Sequence, residues 1–389
     1  MYGHVSYDVI DRIAIGTLCS AVINCVKRRD SSSIKQYLVK AGIAGKEKNI
    51  VYFNYGRAAL NALFQERFAG KIIIFPSFIC PSLVMAAVKA GVKPRFVDVS
   101  LEDFNLDINL VSDEDLESAD ALFVNHTFGV PADIETIRTK TKAHGIYLIE
   151  DIAQALFARY KEEYVGTLGD TALLSMYKQT PNLNGAILLS DLPVSEPRKC
   201  AVSLDDFIRL LWLTSGPHDY LLKVIRQWKG LPEGSDELQK GKVPCQPSRL
   251  SLSLFATLLP SVKDLADRKR TIAKHYQRRA ETSNYFIPQQ INESKEPAWF
   301  NFSVRLLPEI AHIRDALLLA LRRKGIFCDR LWHDSPVTIN IFKEYLEDDY
   351  PNARLLTKSV INLPMKADYQ ERDVDYLFDF TEEAIRRLI

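Results

Sequence analysis

A chain of 389 residues with 47% hydrophobic content can fill the core of a large domain and leave enough for a smaller one. Its 50 basic and 49 acidic residues leave a formal charge of +1, so no global field draws it to nucleic acid or anionic lipid. The six cysteines, Cys19, Cys25, Cys80, Cys200, Cys245 and Cys328, lack the close pairs of a zinc or iron–sulfur site, so no metal is expected, and reduced thiols in a cytoplasmic protein are the default reading.

Residues 1–50 read as an N-terminal helical segment, with a helix over Val9 to Val26. Its stretch Ile13 to Val26 is nearly free of charge, but it is shorter than the roughly 20 apolar residues a bilayer requires. Asp8, Asp11 and Arg12 precede it without the basic start of a signal peptide. The expectation is an amphipathic helix packed on the body or on a partner subunit, with no membrane span.

From Val51 to Asp191 short apolar runs alternate with helical patterns. Ile72 to Phe75, Pro94 to Val99, Ala121 to Val124, Ile146 to Ile149, Ala172 to Ser175 and Ala186 to Leu189 have strand length and fully buried character. Ala58 to Phe68, Pro81 to Ala90 and Asp133 to His144 are helix-like. This alternation predicts an α/β fold with a doubly wound, mostly parallel sheet, whose ligands sit beyond the carboxyl ends of the strands. His126, Asp151 and Ser175 fall at those ends. The region from Cys200 to Gln246, with Leu231 to Ser235 as an exposed loop, marks the join between a large domain over 51–245 and a second part over 246–389. That part comprises a connecting helix over Leu250 to Thr282 and a small α+β domain, with a strand over Trp299 to Leu306 and helices over Ile310 to Lys324 and Arg372 to Leu388.

The chemistry concentrates in Ile149-Glu150-Asp151-Ile152-Ala153-Gln154 and Ser175-Met176-Tyr177-Lys178. A carboxylate at the end of one buried strand, with a hydroxyl and an amine at the end of the next, is what holding pyridoxal phosphate requires. Asp151 would keep the pyridine nitrogen protonated and Lys178 would bond the cofactor aldehyde. Gly56-Arg57-Ala58, opening a helix, offers backbone N–H groups to a phosphate. Singly, each has a plainer explanation: an Asp that ends a turn, a solvated Lys, a Gly that merely bends the chain.

Together with Tyr55 to Leu60, Pro76 to Ser82, Asn125 to Asp133, Gly166 to Asp170 and Asn362-Leu363-Pro364 with Arg372 to Tyr376, these segments resemble, in order, the DegT/DnrJ/EryC1/StrS family of sugar aminotransferases, fold-type-I pyridoxal-phosphate enzymes. The resemblance implies that Gly56 and Ser175 lie at the cofactor phosphate; Arg57, standing where relatives carry a small hydroxyl residue, either adds charge there or points to solvent. It places His126 near the ring and has Gln154 donate to the ring oxygen. It also implies a homodimer in which Arg249 reaches the neighbouring site. The implied reaction is ping-pong transamination from an amino donor, glutamate, to a keto acceptor, a nucleotide-linked sugar or related carbocycle, in polysaccharide or secondary-metabolite biosynthesis. This chain departs from the family pattern at three places. Lys178 stands three residues after Ser175, where most members carry the lysine at the position of Thr180. Cys80 takes the place of the aromatic that covers the ring, with Phe78 as its substitute, and Pro247 replaces an asparagine. Two other readings remain open: a sugar dehydratase, although no histidine lies between Tyr177 and Leu188 to replace the lysine, and a non-catalytic binding or regulatory member, should Thr180 occupy the lysine position.

Overall fold

The computed structural model describes residues 13–27, 31–200, 206, 210, 213 and 244–389. The first residues of the expected Val9 to Val26 helix and the expected loop over Leu231 to Ser235 lie outside them. The large domain is built on seven strands: β1 (Asn49–Phe53), β2 (Ile72–Pro76), β3 (Lys93–Val97), β4 (Ala121–Asn125), β5 (Tyr147–Asp151), β8 (Thr171–Ser175) and β9 (Ala186–Ser190). Between β5 and β8 lies a small hairpin of β6 (Arg159–Tyr160) and β7 (Glu163–Tyr164), to which β11 (Lys295–Glu296) adds antiparallel to β6. The sheet order is β1-β9-β8-β5-β4-β2-β3, and only β9 runs antiparallel to its neighbours. The expected mostly parallel sheet is therefore present. Edge strand β1 was not among the expected strands, because its residues alternate between buried and half-exposed instead of forming a buried run.

The central strands are apolar throughout because helices cover both faces. Phe75, Ala121, Phe123 and Ile149 face one cluster, shared with α3 (Gly56–Arg67) and α4 (Pro81–Lys89). Ile74, Leu122, Val124 and Leu148 alternate with them and face the other, shared with α2 (Ser31–Lys40), α5 (Asp113–Ser118), α6 (Ile134–Ala143) and the start of α7 (Arg249–Glu281). Ser248 caps α7 by accepting from the Ser251 amide. At about 50 Å for its 33 residues, α7 runs from the large-domain core, through Phe255 and Val262, into the small-domain core at Ile272 and Tyr276.

The small domain carries a three-stranded antiparallel sheet in the order β10 (Phe286–Pro288), β12 (Phe302–Leu306), β13 (Val360–Leu363). It is covered by α8 (Arg314–Arg323) and α10 (Glu371–Arg386), and α9 (Pro351–Ser359) precedes β13. Two expected boundaries need correction. The strand expected from Trp299 starts only at Phe302, because Trp299 adopts φ 50° and the chain around it is tied to the large domain, Ala298 N–H donating to Gly129 O and Phe300 N–H to Phe128 O. The helix expected from Ile310 opens as a tight 3-10 segment, Pro308–Ile313, before α8.

The expectation of reduced thiols is also corrected. Cys200 and Cys245 are joined in a disulfide with Cα atoms 5.7 Å apart, while Cys19, Cys25, Cys80 and Cys328 are free. The pairing follows from the chain path: Gln246 N–H donates to Arg198 O, which lays the two segments side by side. α1 (Ile15–Val26) packs on α7, with Ala21 buried near Leu183 and Leu254. Asn24 Nδ2 donates to Thr257 Oγ1. Among the described residues no helix is long and apolar enough to cross a membrane.

Candidate active site

The site lies where the rules of an open α/β sheet place it, beyond the carboxyl ends of β4, β5 and β8. Because side chains alternate along a strand, the two carboxylates ending β5 point to opposite sides. Glu150 is fully buried and turns away from the site. It accepts from the amides of Gly166 at 2.8 Å, Leu168 at 3.0 Å and Gly169 at 2.5 Å, and from His126 Nε2 at 3.1 Å. Gly166 sits at φ +90°, and a Cβ there would press into Ile152, so this turn toward β8 depends on glycine. Glu150 therefore anchors the turn that launches β8, the strand that ends at Ser175 and leads into Lys178.

Asp151, on the other side, is almost as buried, but among the described residues its carboxylate accepts a single hydrogen bond, from Ala153 N–H at 2.9 Å. Burial pushes its carboxyl above the ordinary value, while the positive charge of Lys178, the Ala153 amide and His126 pull it back. Lys178 thus lies within electrostatic reach of Asp151 and is half-buried. Thr180, at the other position where a lysine is found, is buried with its hydroxyl donating to Met176 O.

His126 is fully engaged. Ala132 N–H donates to its Nδ1 at 3.1 Å, which leaves the proton on Nε2 for Glu150. Only the flat of the ring is left to face a ligand. Gln154 is oriented by the same logic: Phe128 N–H donates to its Oε1 at 3.1 Å, so its Nε2 is the free donor, with no acceptor among the described residues. Asn105, not singled out by sequence reasoning, fixes the same turn. Its Oδ1 accepts from Thr127 N–H at 2.8 Å and its Nδ2 donates to the carbonyls of Val130 and Pro131.

Gly56 opens α3 after Tyr55, which is extended, and a Cβ on Gly56 would stand 3.3 Å from Leu173 of β8. This close approach sets the first turn of α3 beside the end of β8, and the amides of Gly56 and Arg57 have no partner within the helix. The Arg57 guanidinium lies over the Tyr55 ring at 5.6 Å, and Tyr55 meets Tyr177 edge-on at 6.5 Å. Ser175 ends β8, its Oγ facing the Tyr177 amide at 3.5 Å. Phe78 is fully buried, edge-on to Phe128 at 6.0 Å and to Trp332 at 5.4 Å, while Cys80 is half-buried, its thiol 3.1 Å from Ser82 Oγ. Arg249 is the one predicted site residue that stands apart. It is exposed at the start of α7, where its Nη2 donates to Cys25 O at 2.6 Å. No cluster of potential metal ligands occurs among the described residues.

These groups fit pyridoxal phosphate. Among the described residues, a buried carboxylate with one hydrogen bond suits a ring N–H, the Gln154 Nε2 has no acceptor and can meet a ring oxygen, helix amides without intrahelical partners suit a phosphate, and the Lys178 amine is within electrostatic reach of the carboxylate.

The model of the DegT/DnrJ/EryC1/StrS aminotransferase family matches residues 43–183 and 249–381. A pleiotropic regulatory protein of Geobacillus stearothermophilus is 26% identical over 327 residues, covering 82% of this chain and 79% of the relative. A dTDP-3-amino-3,6-dideoxy-alpha-D-galactopyranose transaminase of Aneurinibacillus thermoaerophilus is 24% identical over 323 residues, covering 82% and 79%. Among solved structures, the PLP-form of the putative sugar aminotransferase Spr1654 from Streptococcus pneumoniae superposes with a TM-score of 0.74 at 16% identity, covering 99% of this chain and all of that one. That likeness establishes the fold.

Proposed function

Because the chain belongs to the DegT/DnrJ/EryC1/StrS aminotransferase family, we propose that it is a pyridoxal-phosphate-dependent aminotransferase that moves an amino group from an amino acid, glutamate, to a nucleotide-linked keto sugar. The observation that carries this reading is Lys178 standing within electrostatic reach of the buried Asp151, with Gln154 Nε2, three residues on, lacking an acceptor among the described residues. When bound, pyridoxal phosphate supplies an electron sink and a carbon that carries the amino group between donor and acceptor. Asp151 would hold the ring nitrogen, its buried carboxylate favouring a positive partner in so dry a site. Gln154 orients the ring through its oxygen. Gly56, Arg57 and Ser175 hold the phosphate, the first through its amide at the helix N-terminus. Lys178 Nζ would bond the cofactor aldehyde and serve as the base that takes the proton from the donor's Cα and returns one to the acceptor's carbon. The active unit is a homodimer.

Borohydride reduction of the purified protein followed by peptide mapping tests the reading. The cofactor is expected on Lys178, with none fixed in Lys178→Ala. A protein that takes up no cofactor, or that fixes it on another lysine, sinks the assignment.

A further inference from the structure

The loop between α8 and α9 is held far more firmly than an ordinary surface loop. Asp329 and Asn362 exchange both backbone hydrogen bonds, at 3.0 and 2.8 Å. The Asn362 side chain reaches in both directions, Oδ1 accepting from Leu331 N–H at 2.7 Å and Nδ2 donating to Ser303 Oγ at 2.8 Å. Arg330 Nη1 closes the outer side on Asp315 at 2.8 Å. What this clamp holds is Trp332 at φ 60°, a left-handed conformation that is strained in a residue other than glycine.

The indole is delivered to the large domain's side of the cleft. Its ring lies 4.9 Å from that of Phe128, tilted by 31°, and 5.4 Å from Phe78. Phe128 is itself at φ 57°, and its amide fixes the Gln154 side chain. Phe78 and Phe128 are fully buried, whereas Trp332 is half-buried, so the indole is the outer face of a three-ring wall standing over the ends of β2 and β4. An indole face held this rigidly is suited to the apolar C–H face of a pyranose ring, where flat contact costs little conformational entropy.

We propose that Trp332 is a specificity-determining residue that stacks on the sugar ring of the acceptor, with Asn362 as its positioning residue. This rests on the aminotransferase reading and names how its acceptor is gripped.

The test is saturation-transfer NMR and binding titration on the full chain loaded with pyridoxal phosphate. The probes are dTDP-glucose and UDP-N-acetylglucosamine, each compared with its nucleoside diphosphate alone. Wild type should saturate hexose C–H protons. Trp332→Phe should retain that contact, while Trp332→Ala should lose it and bind the nucleotide sugars about tenfold more weakly with binding of the bare nucleotides unchanged. Absence of hexose saturation in the wild type, its survival in Trp332→Ala, or an equal loss for the bare nucleotides overturns the proposal. The melting temperature and cofactor fixation of each variant are read on the same preparations. Missing fixation in the wild type sinks the aminotransferase reading, whereas normal fixation without hexose contact sinks the stacking alone.

Discussion

Asp151 sits in a place that suits a ligand better than it suits the empty fold. Its carboxyl is raised from an ordinary value of 3.8 chiefly by burial. Across the window between that value and the raised one, the folded state binds more protons than the unfolded state, so stability falls as pH rises through it. The penalty in the cofactor-free protein therefore grows as pH rises above the ordinary carboxyl value. Asp151→Asn keeps the acceptor for Ala153 N–H and removes the charge, so the cofactor-free variant should melt at a higher temperature than cofactor-free wild type at neutral pH and gain less from added cofactor. Its turnover should fall at least about a hundredfold, the lower end of what a positioned electrostatic group contributes. Calorimetry at pH 7 with and without cofactor, paired with turnover measurements, checks both parts. Near-normal turnover, or a lower melting point without cofactor, contradicts the role.

At the scale of elements, residues whose partners are close in sequence were legible and residues whose partners are remote were not. Asp151 and Gln154 share one strand end, and Ser175 and Lys178 share the next, so a local pattern revealed them. Glu150 lay in the same stretch, but its work is done on Gly166 to Gly169, across a glycine turn at positive φ that spacing does not announce. Trp332 meets Phe128 only because the small domain folds back over the large one. The disulfide was illegible for the same reason, since Cys200 and Cys245 are 45 residues apart and carry no motif. That bridge has a consequence for the cofactor seat. Asn54, the residue after β1 that leads into Tyr55-Gly56, donates its backbone N–H to Cys245 O and its Nδ2 to Cys245 Sγ. Closing a loop of this length contributes about 4 kcal/mol in the chain-entropy picture. Denatured, unreduced protein should therefore show four reactive thiols, Cys19, Cys25, Cys80 and Cys328, and six after reduction. Cys245→Ser should melt earlier than the oxidised wild type. Six reactive thiols before reduction would remove the bridge from the account.

At the scale of the whole molecule, the apolar surface of α1 calls for a cover. Ile15, Val22, Ile23 and Val26 are 76%, 46%, 52% and 78% exposed, and their spacing puts them on one face of the helix. The opposite face, at Ala21, is already committed to α7. Arg249 ties the carboxyl end of α1 to the start of α7 through Cys25 O, so a partner seated on this stripe would bear on the helix that joins the two domains. A second copy of the chain is the occupant that fits the proposed homodimer, since a two-fold interface pairs a surface with itself and shelters both stripes at once. Charging the stripe with Val22→Lys and Ile23→Lys together should move the protein from dimer to monomer in sedimentation at assay concentration. If each site also draws on Arg249 of the partner, Lys178→Ala and Arg249→Ala subunits, each inactive alone, should recover activity on mixing. Random exchange makes about half the dimers mixed, each with one site intact, so recovery should approach about a quarter of wild type. A wild type that is monomeric and fully active would refute the dimer. A stable dimer whose mixtures stay inactive would leave the interface in place and return Arg249 to the purely intramolecular role of holding α1.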